Sequence, residues 1–295
     1  MSGALKEVRN RIKSVQSTQQ ITKAMKMVSA AKLRKAQDAI IQMRPYAQKL
    51  LQMLSNIVSN SDGGDLGGLN LAAERPVEKV LFIVITSDRG LCGAYNANVV
   101  KAARASINEN YSEQLKKGNV TVWPIGKKGW EAFQRFKIPT DTAHKDIFIN
   151  LSFENVQSAA QAAMQSFLNK EFDVVELVYS EFKNAATQRF VVERFLPIAK
   201  VENKGSNKKS DFIFEPAKET LIAEMMPKIL NTQLYKAVLD ANASEHGARM
   251  TAMDKASENA NELLRSLKIS YNRARQAAIT TELTEIVSGA AALQG

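Results

Sequence analysis

The chain has 295 residues, of which 45% are hydrophobic, so it can bury a core and is not a disordered chain. Its net charge of +10 comes almost wholly from residues 1–58, which carry 11 Lys and Arg against 2 Asp and Glu. Such a basic segment suits a nucleic-acid or anionic-lipid surface, and it equally suits a solvated helix face or a surface that meets an acidic protein. The single cysteine, Cys92, excludes an intramolecular disulfide and is typical of a reducing compartment.

Residues 5–57 have the periodicity of a long helix. A strict heptad that starts at Leu5 defines a seam in which twelve of sixteen positions are apolar. The four polar positions of this seam are consecutive, namely Gln19, Thr22, Lys26 and Ser29. Over the same stretch apolar residues occur at Ile21, Met25 and Val28, so we expect the apolar stripe to drift around the helix.

The middle of the chain has the pattern of a small α/β domain. Residues 59–75 form a polar linker, and the apolar run from Val80 to Ile85 is typical of a strand buried on both faces. Further strands are expected at 120–125, 174–179 and 188–195, with helices near 95–115, 127–136 and 154–170. The last strand directly follows its neighbour, so it should be antiparallel in an otherwise mostly parallel sheet.

A second long helix is predicted from Pro216 to Leu293, where apolar residues recur three and four apart. Two helices at opposite ends of one chain pair most simply as an antiparallel coiled coil. If Ile57 lies near Pro216, the pairing reaches about residue 269, and roughly the last 25 residues project alone. Because this projecting end is apolar on nearly every side, it implies an enclosing socket on another protein.

No catalytic, cofactor or metal site is predicted. The glycine-containing loops at 86–94 and 126–129 lack the spacing of nucleotide-binding motifs, which favours a structural turn or a partner contact over a phosphate site. His144 and His246 lie in different elements, and Cys92 alone cannot build a Cys/His zinc site. No apolar run can span a bilayer and the start has no signal-peptide core, so we expect an intracellular protein that reaches a membrane only through partners.

Four motifs occur in order along the chain, namely ITKAMKMV at 21–28, SDRGLCG at 87–93, ASEHGARM at 243–250 and ITTELTEIVSGAA at 279–291. Together they resemble the γ subunit of F-type ATP synthases. The resemblance implies the non-catalytic central rotor shaft of a proton- or sodium-translocating ATP synthase. The shaft couples rotation of a c-ring to sequential conformational change at three catalytic β sites. This coupling serves ATP synthesis and is reversible with ATP hydrolysis. The implied partners are three α and three β subunits, an ε subunit and the c-ring, without nucleic acid and without a cofactor.

The expected fold is an antiparallel coiled coil of the N- and C-terminal helices, with a small Rossmann-like α/β domain inserted between them. The expected bounds are 1–58 for the first helix, 59–75 for the linker, 76–200 for the α/β foot, 201–215 for a polar loop and 216–295 for the second helix with its tip.

The contact positions of the family, carried onto this sequence, fall mostly on the two long helices. The resemblance implies contact with lever and catch loops of β at Met25, Lys26, Arg249, Arg275, Gln276, Thr280 and Glu282. It places Ile286, Val287 and Leu293 in an apical sleeve made by α and β, and Phe214 and Glu215 at the foot near the c-ring.

Two other functions stay open. A basic coiled-coil protein that binds nucleic acid would show strongly salt-dependent DNA binding. A nucleotide-using α/β enzyme with a coiled-coil arm would bind or turn over nucleotide with residues 75–200 alone. A start at Met1 without a presequence favours the cytoplasmic side of a bacterial plasma membrane, where the chain would be held by its partners.

Overall fold

The computed structural model describes residues 3–59, 71–185, 187–198 and 218–294. The chain divides into two compact units. The helical unit comprises residues 1–29 and 249–295, and the sheet unit comprises residues 30–248. The linker residues 60–70 and the whole loop predicted at 201–215 lie outside the described residues, as does Pro216.

The long terminal helices and the strands between them occur where the sequence predicts them. In chain order the elements are α1 (Gly3–Ser59), β1 (Val80–Ile85), α2 (Tyr95–Asn110), α3 (Ser112–Lys116), β2 (Val120–Ile125), α4 (Lys127–Arg135), a 3-10 turn (Ile147–Asn150), α5 (Phe153–Leu168), β3 (Val174–Phe182), β4 (Gln188–Leu196) and α6 (Lys218–Gln294). Long terminal helices around a small mixed sheet confirm the predicted fold class.

The sheet of the sheet unit has the strand order β2-β1-β3-β4. Strand β1 pairs in parallel with both β2 and β3, and β4 pairs antiparallel with β3, as predicted. Every residue of β1 is buried, because helices cover both of its faces. One core contains Leu81, Ile83, Phe167 of α5 and Leu234 of α6. The other contains Phe82, Val84, Val99 of α2 and Phe133 of α4.

The single helix predicted near 95–115 is wrong, because Tyr111 interrupts it between α2 and α3. The Tyr111 hydroxyl donates a 2.7 Å hydrogen bond to Glu176 and accepts one of 3.0 Å from Arg194. Burial and the Glu176 carboxylate raise the pKa of Tyr111 to about 12, so the phenol stays a donor at neutral pH. A three-residue network around the buried Tyr111 and Glu176, invisible in the helical periodicity, therefore ends α2.

Asp240 is a buried acid on α6 in the sheet unit, and it makes stability depend on pH. Burial raises the pKa of its carboxyl to about 6, although Lys236 and Arg44 oppose this rise. Between about pH 4 and 6 the folded chain therefore holds this proton more tightly than the unfolded chain. The buried negative charge of Asp240 therefore lowers the free energy of unfolding. This destabilisation is fully present above about pH 6 and absent below about pH 4.

We therefore expect Asp240→Asn to stabilise the chain by about 2 kcal/mol near pH 7.5, because the amide keeps an acceptor without carrying the buried charge. The gain should shrink as the pH falls towards about 4. Urea unfolding of both proteins across this range measures the effect. If Asp240→Asn raised the free energy of unfolding equally at about pH 4 and about pH 7.5, the charge of Asp240 would not be the cause.

Candidate functional site

The loops at the carboxyl ends of β1 and β2 are the best candidates for a nucleotide site. The first three N–H groups of α4 are all used within the chain: Lys127 donates to Asp88 Oδ1 at 3.2 Å, Lys128 to the Ser87 carbonyl at 3.0 Å and Gly129 to Thr86 Oγ1 at 2.8 Å. A helix N-terminus binds phosphate through these same groups. The geometry therefore supports the structural turn over the phosphate site.

Helix α6 packs against the carboxyl end of β3, next to the start of α2. Ser244 donates a 3.1 Å hydrogen bond to the Ser180 carbonyl at this end, and Tyr95 of α2 donates one of 3.1 Å to the Ala241 carbonyl. A Cβ atom on Gly247 would lie 3.2 Å from the Cα of Ala185, so the glycine permits this close approach. In open α/β sheets ligands bind at this end of the strands. In this chain α6 occupies that end of β3, where a ligand would otherwise bind.

The candidate reactive side chains also have structural surroundings. Cys92 is buried, and Asn96 Nδ2 lies 3.2 Å from its sulfur. The ring of His144 packs 5.4 Å from that of Trp123, and burial lowers its pKa. His246 is half-buried on α6. Within the described ranges, no group of three or more His, Cys, Asp or Glu is arranged to hold a metal ion.

The helical unit is an antiparallel pair formed by α1 and α6. Thr22 lies opposite Ser257 with a 2.7 Å hydrogen bond, and Arg9 donates a 2.9 Å bond to Tyr271. As the residue numbers fall along α1 they rise along α6, which fixes the antiparallel direction. Every predicted seam position from Leu5 to Ser29 is buried or half-buried.

The predicted drift of the apolar stripe is wrong. Ile21 and Val28 are exposed, while the polar residues of the strict heptad stay in the seam. They stay because each finds a polar partner: Gln19 bonds to Asn261, Thr22 to Ser257 and Lys26 to Asp254, while Ser29 bonds to the Met25 carbonyl. Buried polar groups that are hydrogen-bonded need not leave an interface. We call these four residues and their partners the polar layer.

The buried hydroxyl pair of the polar layer can be tested by a double-mutant cycle. Thr22→Val and Ser257→Ala should each destabilise the chain, and the double variant should lose less than the two single losses together. We expect a coupling of about 1 kcal/mol, the usual net value of a hydrogen bond. Thermal or urea unfolding of all four proteins gives the coupling, and strictly additive losses would contradict a stabilising bond between the two hydroxyls.

The pairing also has a different register from the predicted one. Aligning Ile57 with Pro216 would place Leu5 near residue 269, whereas Arg9 lies opposite Tyr271. The paired part of α6 therefore continues further than predicted. Beyond it the tip is exposed as expected: residues 279–292 are all exposed, with Ile286 and Val287 each at 67%.

The expected contact residues differ in accessibility. Arg275, Gln276, Thr280, Glu282, Ile286 and Val287 are exposed on one run of α6. Met25 and Lys26 are half-buried, and Arg249 is only 8% exposed, so its side chain is the least available of the set. Leu293 belongs to the last turn of α6. Phe214 and Glu215 lie outside the described residues.

Sequence reasoning missed one accessible apolar surface on α1. Ile21, Met27 and Val28 are each more than half exposed, beside the half-buried Met25. In the sequence, the exposure of these residues is indicated only by their positions outside the strict heptad. We overlooked this indication because we predicted that the apolar stripe drifts towards them. Among the described residues, no helix is both long and apolar enough to cross a membrane.

Comparison with known proteins shows which family the chain belongs to. A family model described as ATP synthase matches residues 4–293. The ATP synthase gamma chain of Cytophaga hutchinsonii is 54% identical over 98% of this chain and 99% of its own length. That of Flavobacterium johnsoniae is 52% identical, with 99% of each chain covered. The chain belongs to the ATP synthase γ chain family. The resemblance carried by the four motifs is thus confirmed.

Solved structures give the same fold. The rotor of the Euglena gracilis mitochondrial ATP synthase in rotational state 1 aligns with a TM-score of 0.64 at 22% identity, covering 95% of this chain and 100% of that one. A chain in the OSCP/F1/c-ring structure of the same synthase in rotational state 3 aligns with a TM-score of 0.67 at 22% identity, covering 99% and 95%. The predicted function, a rotor shaft of an ATP synthase, agrees with the γ chain family and is confirmed.

On this γ chain, the candidate functional site consists of the surfaces that the helical unit exposes. The exposed tip of α6, the polar residues just before it and the basic, partly apolar surface of α1 are the surfaces that the helical unit offers.

Proposed function

We propose that this γ chain is by itself non-catalytic and turns inside a ring of three α and three β subunits. The observation that carries the proposal is the exposed apolar end of α6, with Ile279, Leu283, Ile286 and Val287 all exposed. An apolar tip of this kind is unfavourable in water unless a partner encloses it. An apolar sleeve suits rotation, because hydrophobic contact is non-directional and no hydrogen bond has to break at each step.

The polar residues before the tip suit a different contact. Arg275, Gln276, Thr280 and Glu282 are exposed, and they follow the last residues paired with α1. An arginine fork can grip a carboxylate with two hydrogen bonds, which fits a loop of β that engages and releases. We assign Arg275 and Gln276 to the catch loop, and Thr280 and Glu282 to neighbouring positions that take part in coupling. The Thr280 hydroxyl also bonds to the Gln276 carbonyl at 3.0 Å, so the two positions are linked.

The α1 side of the helical unit is assigned to the acidic lever loops of β. Lys23 is exposed there beside Met25, whereas Lys26 already shares its charge with Asp254. The rod therefore has unlike faces, with cations and apolar residues on α1 and polar groups on α6. A β site that meets different faces in turn has its conformational populations shifted in turn. Arg249 is assigned to the same lever loops, although it is only 8% exposed.

The remaining assignments concern the foot. We propose that the sheet unit meets the ε subunit and the c-ring, with Phe214 and Glu215 near the c-ring. The whole would then sit on the cytoplasmic side of a bacterial plasma membrane, attached through these partners. The domain bounds of 1–58, 59–75, 76–200, 201–215 and 216–295 remain part of this proposal.

The test is affinity capture of the complex from the membranes of the host, with the tag at residues 202–210 because the carboxyl end should be enclosed. ATPase activity is then measured in the captured complex and in the purified chain alone. Activity in the complex only, with two abundant partners in equal amounts, supports the proposal. ATP turnover by the chain alone would instead support an enzyme, and nucleic acid as the main captured species would support the basic coiled-coil alternative.

A further inference from the structure

A groove lies between α2 and α4 on the sheet unit. It encloses about 820 Å³. Its apolar lining comes from small or flat side chains, namely Ala97, Val100, Ala105, Ala132 and Phe136. The three alanines leave space that longer side chains would fill. Phe136 is 43% exposed at the end of α4, although its ring packs 6.4 Å from that of buried Phe133.

The rim of this groove is strongly basic. Lys101, Arg104, Lys128 and Arg135 line it, against a single acid, Glu131. Glu131 is already paired with Lys128 at 2.7 Å. In the part of the chain that the structure describes, Lys101, Arg104 and Arg135 have no carboxylate within ion-pair distance. Three cations therefore surround an apolar floor without internal compensation.

Arg104 links the rim to the floor. Its guanidinium lies 4.0 Å from the centre of the Phe136 ring, which is a cation–π contact. This contact holds the charge at the mouth of the groove and covers one face of the ring. The edge of Phe136 and the alanines stay available to an apolar side chain.

We propose that the groove binds an amphipathic helix of a partner protein, with apolar side chains on the floor and acidic side chains against Lys101, Arg104 and Arg135. Two neighbouring helices form a groove into which the ridge of a third helix packs, and such grooves bind apolar faces read at helical spacing. The unpaired cations select the charge of that helix, because opposite potentials across an interface set partner choice.

Other anionic partners fit this surface less well. A bilayer is flat on this scale and cannot reach the floor of a concave groove. A nucleic-acid base would stack on an aromatic face, and Arg104 already covers one face of Phe136. The combination of an apolar floor with a rim of cations thus favours an acidic amphipathic helix. This inference does not depend on the proposed rotor function, since it concerns binding by the purified chain.

The first test is binding of a synthetic helical peptide to the full chain. The probe is an 18-residue peptide with leucines at helical spacing and glutamates on both sides of that stripe, labelled for fluorescence polarisation. We expect a Kd of about 10 µM. The same peptide with glutamine in place of each glutamate should bind about tenfold more weakly.

Charge reversal separates the groove from the general basicity of the chain. The triple variant Lys101→Glu, Arg104→Glu and Arg135→Glu should raise the Kd at least about tenfold. The matched control changes the exposed Lys79, Lys116 and Lys117 to Glu, an equal change in net charge outside the groove, and should alter the Kd less than about twofold. Equal losses in both triples would overturn the proposal, since binding would then follow net charge alone.

A second variant tests the floor without altering charge. Ala105 is exposed, so Ala105→Trp can fill the groove while the fold is kept, and it should raise the Kd about tenfold. Ala31→Trp, at an exposed position of α1, is the control and should leave the Kd unchanged. Unchanged binding by Ala105→Trp would also overturn the proposal.

The natural occupant can be identified by a photo-cross-linking residue at Asn108 in the complex isolated from the host. Support requires that the cross-linked segment is an acidic amphipathic helix of another protein and that the product is lost in the charge-reversed triple. Cross-linking to lipid, to nucleic acid, to a second copy or to residues 59–75 of the same chain would overturn the assignment. The absence of any product would do the same.

Discussion

Changing both Ile286 and Val287 to aspartate should leave the isolated chain as stable as before and strongly reduce coupling in the assembled synthase. Both side chains are 67% exposed in the chain, so the substitution removes little packing, within about 0.5 kcal/mol. Inside an apolar sleeve, each new carboxylate would cost at least about 1 to 3 kcal/mol. ATP-driven pumping of the coupling ion, proton or sodium, by membrane vesicles should therefore fall about a hundredfold.

The matched control keeps these positions apolar. Ile286→Leu with Val287→Ile should retain normal pumping, because a sleeve without directional bonds tolerates a similar shape. Thermal unfolding of the isolated chains shows that neither variant acts through stability. Normal pumping by the aspartate variant would contradict an enclosing apolar socket, and equal losses in both variants would point to a close fit of side chains instead.

Gly126→Ala should destabilise the sheet unit by about 4 kcal/mol, through backbone strain and a clash that cannot be relieved by rotating a side chain. Gly126 has φ +103°, and a Cβ there would lie 2.5 Å from the carbonyl oxygen of Thr86. Because the neighbouring atom belongs to the backbone, β1 and α4 would have to separate. The midpoint of thermal unfolding should fall by about 10 °C.

Gly118 provides the control for this substitution. It also has a positive φ, +74°, yet no atom lies within 4 Å of the position that a Cβ would take there. Gly118→Ala should therefore cost only the left-handed backbone strain, about 1 kcal/mol. Similar losses in the two variants would mean that the contact with Thr86 relaxes easily and that the close approach of the two loops is not required.

The elements of this fold were predictable wherever one local pattern decided them. The apolar run at Val80–Ile85 is buried on both faces, and the direct succession of β3 and β4 makes their pairing antiparallel. The seam of α1 followed from its heptad. The end of α2 at Tyr111 did not follow, because it depends on Glu176 and Arg194, which are distant in the sequence and meet only in the folded chain.

The errors in the helical unit have one physical origin. Apolar periodicity does not take account of hydrogen bonds that a polar residue can form across a helix interface. It therefore predicts that Gln19, Thr22 and Lys26 lie outside the seam. Their partners Asn261, Ser257 and Asp254 also set the register, which end-to-end alignment of the helices could not give. A single polar pair in a helix interface can specify register in this way.

The sequence predicted what type of surface the candidate site has, but it did not predict the burial of each residue in it. An exposed apolar tip followed from composition, and exposure of Ile286 and Val287 agrees with it. The burial of Arg249 did not follow, because burial depends on tertiary packing that the motif around this residue does not show. The groove between α2 and α4 left no motif, since Lys101, Arg104 and Arg135 become neighbours only when two helices pack.

The packing of α6 into the sheet unit has a consequence for synthesis on the ribosome. Leu230, Leu234 and Val238 share a core with Leu81 of β1, although all the strands are translated before them. One face of the sheet therefore stays incompletely covered until α6 has been made, which favours chaperone binding during this interval. Because the apolar tip is translated last, we expect the sheet unit to fold before the tip can enter its socket.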